Sequence, residues 1–323
     1  MIRVFINGFG RIGRTVLRAW AQGGWPDIEI VGINDIAAPD LCAHLFEYDS
    51  VFGPFQGDVR LIGRDLHLND KTIPLHRTSD LRGVDLTGVD IVLECTGKAG
   101  AREIAMRPLL AGARRVLISG PSQAADVTVV MGANDAALGD QQIVSNASCT
   151  TNALAPLVRL LDDTWGVQTG WMTTIHCYTG SQPTIDAPRG DMMRSRAAAM
   201  SMVPTTTSAM TLLDHVLPDI AGRIEGAAVR VPVASVSAVD LTVTLTRSVT
   251  RDDVLAVLSK NGAIIGNTNK PLVSSDLRAR PESLIVSLPE TRVTAQGLLR
   301  VFGWYDNEWG FSCRMLDMAV RMG

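Results

Sequence analysis

Cys149 sits in the stretch SNASCTTN, among hydroxyl and amide side chains and just ahead of the apolar run ALAPLVRLL. Ser148 is placed to cap a helix that opens at Cys149. A thiolate in a first helical turn meets the positive end of the helix dipole and outward-pointing N–H groups, and both lower its pKa. The strand-like run WMTTIHCY then supplies His176. An imidazole within reach of that sulfur would form a thiolate–imidazolium pair and could carry protons during turnover. The chemistry on offer is nucleophilic catalysis through sulfur. Each residue alone also has a plainer use, since a buried cysteine packs and a strand histidine is usually structural.

A second pattern lies at the start of the chain. Gly8, Gly10 and Gly13 spell G-x-G-x-x-G between the apolar run RVFING and the helical run RIGRTVLRAW. Glycines at this spacing allow a tight turn, a close backbone approach to a pyrophosphate, and helix-on-sheet packing. Asp35 closes the next apolar run about 20 residues on, where a carboxylate accepts both ribose hydroxyls of NAD and repels the 2′-phosphate of NADP. Ile36 offers no hydroxyl to a 2′-phosphate. Arg77 is a candidate partner for one, which keeps NADP in play.

These residues need elements to hold them. Residues 1–148 alternate short apolar runs with amphipathic ones: RVFING, IEIVGIND, VDIVLECTG, RRVLISGPS and VTVVMG as strands, with helices at RIGRTVLRAW, PDLCAHLFEY and AREIAMRPLLAGA. That alternation predicts a Rossmann-type, doubly wound parallel sheet of the α/β class. From Cys149 the texture changes to an α+β catalytic domain over residues 149–308, with a mostly antiparallel sheet. The helix CTTNALAPLVRLLDDTWG, the strand WMTTIHCY and a long turn-rich stretch come first. AAVRVPVASVSAVDLTVTLTR reads as antiparallel strands, RDDVLAVLSK as a helix and GLLRVFGWYD as a strand. The closing amphipathic helix, about residues 309–323, is expected to pack back on the first domain.

Composition bounds the rest. A chain of 323 residues with 46% hydrophobic and 20% charged residues has an ordinary globular make-up. A net charge of −3 gives no broad attraction for nucleic acid or anionic membrane. The first residues carry no basic–apolar–small cleavage pattern, and no apolar run reaches the about 18 residues of a membrane span. Five scattered cysteines without CxxC spacing argue against a disulfide framework or a metal site. The expectation is a cytoplasmic protein without metal, nucleic-acid or membrane partner.

INGFGRIGR, SNASCTTN, TTIH, RVP…SVSAVDL and WYDNEWGF together resemble the glyceraldehyde-3-phosphate dehydrogenase family, over the whole chain. The resemblance implies NAD-dependent phosphorylating oxidation of glyceraldehyde 3-phosphate to 1,3-bisphosphoglycerate. Cys149 would be the nucleophile, through a hemithioacetal and a thioester, with His176 as base. The resemblance places Arg230 and Arg196 at phosphate, with Thr179 beside them, and Ser148, Thr150, Thr207 and Ser208 around the attacking inorganic phosphate. It puts Gly8, Gly10, Arg11, Ile12, Gly13, Asp35, Arg77, Thr96, Ser119 and Asn307 at the cofactor, Asn307 on the nicotinamide carboxamide. Family members form homotetramers, and the β-branched strands after residue 227 suit an intersubunit sheet.

The chain departs from the common pattern in places. Ala153 stands where many members carry a second cysteine, Pro183 where many have lysine, Ser208 where a glycine is usual, Phe311 for a tyrosine, and Ala99 for an aromatic ring over the adenine. Erythrose-4-phosphate dehydrogenase and an amino-acid semialdehyde dehydrogenase are the competing enzymes. A non-catalytic NAD-binding sensor is the competing reading from outside enzymes, and the presence of both Cys149 and His176 argues against it.

Overall fold

A computed structural model describes residues 1–323. Two units divide the chain: Met1–Val129 with Asp135–Ala147 and Ser312–Gly323, and Val130–Asn134 with Ser148–Phe311. The first is built on a nine-stranded sheet. Its parallel part runs, edge to middle, through Val127–Thr128, Ile143–Ser145, Arg115–Ile118, Ile91–Glu94, Ile2–Asn7, Ile28–Asn34 and Lys71–His76. The strands Asp65–Leu68 and Val59–Ile62 extend the far edge antiparallel. All four residues of Ile91–Glu94 are buried, as expected for a strand covered on both faces. The helix Arg11–Ala21 makes the first crossover and buries Val16, Leu17 and Ala19. The C-terminal residues are tied to this unit: Trp25 Nε1 donates to Asp317 at 2.7 Å, and Arg114 Nη2 to the Gly323 carbonyl at 2.9 Å.

The second unit carries an eight-stranded sheet. Its path is Val203–Thr205, Ile224–Val231, Val167–Cys177, Ser237–Leu245, Leu299–Tyr305, Leu284–Ser287 and Ile265–Thr268, with Arg292–Val293 beside Leu299–Tyr305. The helix Cys149–Trp165 lies on this sheet with Leu154, Leu157, Val158 and Leu161 buried. Residues 178–202 contain turns but neither helix nor strand.

Three expectations for the elements need correction. Ile224–Val231 and Ser237–Leu245 do not pair with each other. Val167–Cys177 runs between them, parallel to the first and antiparallel to the second. AREIAMRPLLAGA forms two short helices, Arg102–Ala105 and Arg107–Leu110, because Pro108 has no N–H to continue the ladder. The strand in VTVVMG shrinks to Val127–Thr128, and Ile143–Ser145 supplies a parallel strand between it and Arg115–Ile118.

Candidate active site

Ser148 has extended backbone and caps the helix Cys149–Trp165, its Oγ accepting from Thr151 N at 3.1 Å. The residue before it, Ala147, holds φ at +55°, an uncommon conformation for a residue with a Cβ. The turn is held by Ala147 N donating to Ser145 Oγ at 3.1 Å and Ser145 Oγ donating to the Gly120 carbonyl at 2.8 Å. Cys149 thereby begins the helix, with its own N–H, the Thr150 N–H and the Thr150 hydroxyl toward the sulfur.

His176 comes from the strand Val167–Cys177, and its Nε2 lies 3.7 Å from Cys149 Sγ. Its Nδ1 donates to the Cys177 carbonyl at 2.7 Å, which leaves the Nε2 lone pair facing the thiol. Arg230, opposite His176 on the neighbouring parallel strand, donates from Nη1 to the same carbonyl at 3.0 Å. That nitrogen lies 2.8 Å from His176 Nδ1.

Burial pushes the Cys149 thiol above its usual value, outweighing the Arg230 charge and the helix-end donors that pull it down. Burial and the Arg230 charge together hold the His176 imidazole down at about 4. A helix end is worth about 0.3–1 kcal/mol, up to about 2 when partly buried, and the desolvation of a sulfur anion exceeds that.

Tyr305 binds this arrangement together, and sequence reasoning passed over it. Its hydroxyl lies 2.8 Å from both Thr150 Oγ1 and Thr174 Oγ1, and its ring meets His176 edge-on at 6.0 Å. Burial raises its pKa, so it stays a neutral bridge between the helix start and the strand. Only its place in WYDNEWGF hinted at it, because its two threonine partners lie far away in the chain.

The remaining expected residues of this unit are placed less directly. Asn307 is buried, its Oδ1 accepting from Cys177 Sγ at 3.1 Å and Ser237 Oγ at 3.4 Å. Thr179 Oγ1 contacts Ser181 Oγ at 2.9 Å, and Thr207 Oγ1 accepts from Ala209 N at 3.1 Å. Ser208 precedes the helix Ala209–Val216 without a side-chain cap bond. The Arg196 guanidinium pairs with Asp186 at 2.7 Å rather than with any of the residues around Cys149.

In the first unit, a cavity of about 270 Å³ opens at the carboxyl ends of the parallel strands, where a doubly wound sheet receives its ligand. Gly8, Gly10, Asp35, Glu94 and Thr96 line it. The glycines fit a dinucleotide. At Gly8, with φ +93°, a Cβ would lie 2.7 Å from the Cys95–Thr96 backbone; at Gly13 it would lie 2.1 Å from the Gly8 carbonyl oxygen. At Gly10 it would fill open space in the cradle. Asp35 is anchored by accepting from Phe9 N at 2.6 Å and Ala37 N at 2.9 Å. Thr96 hydrogen-bonds Glu94, and Ser119 bonds Cys95. Arg11 is tied to Asp49, so of this residue and Ile12 the first-turn backbone, not the guanidinium, is turned to the strand end. Arg77 donates to the Ile36 carbonyl at 3.1 Å.

A dinucleotide cradle in one unit and a capped cysteine against a histidine in the other are the parts of an NAD-linked dehydrogenase. Comparison with known proteins narrows the class. The family described as glyceraldehyde 3-phosphate dehydrogenase, NAD binding domain, matches residues 2–102, and its C-terminal domain matches residues 148–307. The glyceraldehyde-3-phosphate dehydrogenase of Xanthobacter flavus is 46% identical over 331 residues, covering 100% of this chain and 98% of that protein. That of Pseudomonas aeruginosa is 45% identical over 329 residues, covering 99% and 98%, and that of Geobacillus stearothermophilus 41% over 328 residues, covering 99% and 97%. The chain belongs to the glyceraldehyde-3-phosphate dehydrogenase family, and its cofactor is NAD.

Proposed function

We infer that the chain oxidises glyceraldehyde 3-phosphate to 1,3-bisphosphoglycerate with NAD and inorganic phosphate. The observation that carries this is the 3.7 Å approach of Cys149 Sγ to His176 Nε2, at a capped helix start and beside Arg230. The first unit serves as the cofactor domain and the second as the catalytic one. NAD, when bound, supplies the acceptor for a hydride.

The chain's own residues do the rest. His176 Nε2 takes the thiol proton as Cys149 adds to the aldehyde carbon and passes it to the former carbonyl oxygen, giving a hemithioacetal. It then takes the hydroxyl proton as the carbon gives up hydride, which leaves a thioester on Cys149. Inorganic phosphate, held by Ser148, Thr150 and Thr207 with Ser208 at the rim, displaces the sulfur to give the acyl phosphate. Arg230, with Arg196 and Thr179, holds the substrate phosphate through guanidinium forks and a hydroxyl. For Arg196 this requires release from the exposed Asp186 pair, which costs little. Asn307, whose Oδ1 is fixed by Cys177 and Ser237, would hold the nicotinamide amide of a bound cofactor.

Initial rates with glyceraldehyde 3-phosphate and erythrose 4-phosphate, each with NAD and NADP, with and without inorganic phosphate, test this reading. The three-carbon aldehyde with NAD and phosphate should be fastest. Preference for the four-carbon sugar, or turnover independent of phosphate, overturns it.

Asp35 sets the choice of cofactor. In Asp35→Asn, the ratio of kcat/KM for NADP to that for NAD should rise by roughly 10- to 100-fold, from lost ribose hydrogen bonds and removed charge repulsion. An unchanged ratio would mean that the ribose is read elsewhere.

The assembly is a homotetramer. Trp171 and Ile175 are exposed on the strand Val167–Cys177, and Ile185, Met192, Met200 and Met202 on the segment that follows, an apolar surface that supports self-association. Sedimentation at the 34.7 kDa protomer mass would refute this. Five free cysteines support a reducing location, and the cytoplasm is the expected one; cell fractionation checks it. No helix is long and apolar enough to cross a membrane.

A further inference from the structure

A second cavity of the first unit adjoins the cofactor cradle, and Thr78 lies in the wall of both. It measures about 360 Å³. The hairpin joining Val59–Ile62 to Asp65–Leu68 turns on Gly63, at φ +64°, and brings Arg64 and Asp65 to the cavity. The strand Lys71–His76 ends there with His76, and Arg77 follows. The Arg64 side chain makes no hydrogen bond or ion pair within the protein. Arg77 donates from Nε to the Ile36 carbonyl at 3.1 Å, which leaves both terminal nitrogens without a protein partner. His76 is half-buried, its ring tilted against Phe5 at 5.6 Å, and neither ring nitrogen is hydrogen-bonded. The Gly32 backbone, Arg64 and Asp65 also face that ring. Burial and the Arg64 charge lower its pKa from the ordinary 6.5, and Asp65 opposes them. Asp65 is the one carboxylate in the wall, so two guanidinium charges meet a single negative one.

We propose that Arg64, His76 and Arg77 form an oxyanion site, separate from the pyrophosphate cradle, that takes a tetrahedral dianion of the sulfate or phosphate kind. Two guanidinium forks match the oxygens of such an ion, and the imidazole adds an N–H. Arg77 need not leave its place to bind, because Nε can stay on the Ile36 carbonyl while the terminal nitrogens reach the anion. Asp35 N donates to the His76 carbonyl at 3.2 Å. Two of the three residues therefore hold the turn Asp35–Ile36, and the anion would lie next to the place where the adenosine ribose is read. A free ion and the 2′-phosphate of NADP offer the same chemistry. Asp35 repels the second, so a free ion is expected to share the protein with NAD.

Histidine ring NMR of the full-length protein tests this. The chain has five histidines, and His76→Gln identifies the His76 signal by its loss. Sulfate is the probe, because it does not titrate near neutrality, and chloride at equal ionic strength is its control. Sulfate should move the His76 signal saturably and raise its titration midpoint, since a bound dianion favours the protonated ring. Chloride should do neither. Arg64→Gln should weaken the apparent sulfate affinity roughly 10-fold or more, the scale of one charge-assisted fork. Repeating the titration with saturating NAD, and then with saturating NADP, separates the sources. A sulfate response kept with both cofactors assigns the site to a free ion. A His76 shift produced by NADP itself, and not by NAD, assigns it to the 2′-phosphate. No saturable movement with sulfate, equal movement with chloride, or unchanged sulfate affinity in Arg64→Gln overturns the site. The comparison of sulfate with chloride in the wild type decides by itself should the variant fail to fold. That arm uses neither cofactor nor aldehyde, so the oxyanion site and the dehydrogenase reading can each fail without the other.

Discussion

Cys149→Ser is expected to lower kcat on the order of 10⁵-fold, the scale on which removing the atom that forms a covalent intermediate costs. Serine keeps the size and the cap geometry, so the turn held by Ser145 and Ser148 should survive. What is lost is sulfur. The hydroxyl is a far weaker acid than the thiol, so His176 removes its proton with much more difficulty. The oxyester it would form also reacts with phosphate more slowly than a thioester. NADH absorbance after rapid mixing gives the check: no burst with Cys149→Ser, although NAD still binds and the melting temperature stays within a few degrees of wild type. Activity within tenfold of wild type would show that another group attacks the aldehyde.

The fold was legible where local pattern and global packing agree. The short β-branched runs IVL and VLI, bounded by turn residues, read as strands covered on both faces, and they are buried strands. The helix at Cys149 announced itself through Ser148 and the periodicity behind it. Pairing partners were not legible. Alternation in AAVRVPVASVSAVDL says strand, but nothing local says that Val167–Cys177 will insert between its two halves. That insertion matters chemically, because it sets His176 opposite Arg230 in register.

The candidate site was legible as a roster of residues and less so as electrostatics. A helix start beside a histidine suggests a thiolate–imidazolium pair when burial is left out of account. The structure encloses both groups and adds a guanidinium: burial raises the thiol and lowers the imidazole, while the Arg230 charge lowers both. Tyr305 was missed for a related reason. Its role is to hydrogen-bond Thr150 and Thr174, an arrangement that exists only after the helix and two strands have packed. Asp49, in the short strand Tyr48–Asp49, likewise claims the Arg11 side chain through a contact that the glycine motif does not foretell.

His176→Asn is expected to lower the burst rate by about 10²- to 10⁴-fold, the usual contribution of a positioned general base. Asparagine can still hydrogen-bond the Cys177 carbonyl and fill most of the space, so the strand register with Arg230 should hold. The rate loss alone would not separate a base from a packing residue; the pH profile does. In the wild type Nε2 takes the proton as the sulfur attacks, so the thiol need not ionise in advance. Without the imidazole the reaction must wait for thiolate, and burial holds the Cys149 thiol above its ordinary value of 9.0. Below the thiol pKa the thiolate fraction grows about tenfold per pH unit, so the variant's rate should climb with that slope through neutrality. Alkylation by iodoacetamide, which also needs thiolate, should show the same slope in the variant. A profile in His176→Asn that keeps the wild-type shape would assign the proton to a different acceptor, and the 3.7 Å contact would then be packing.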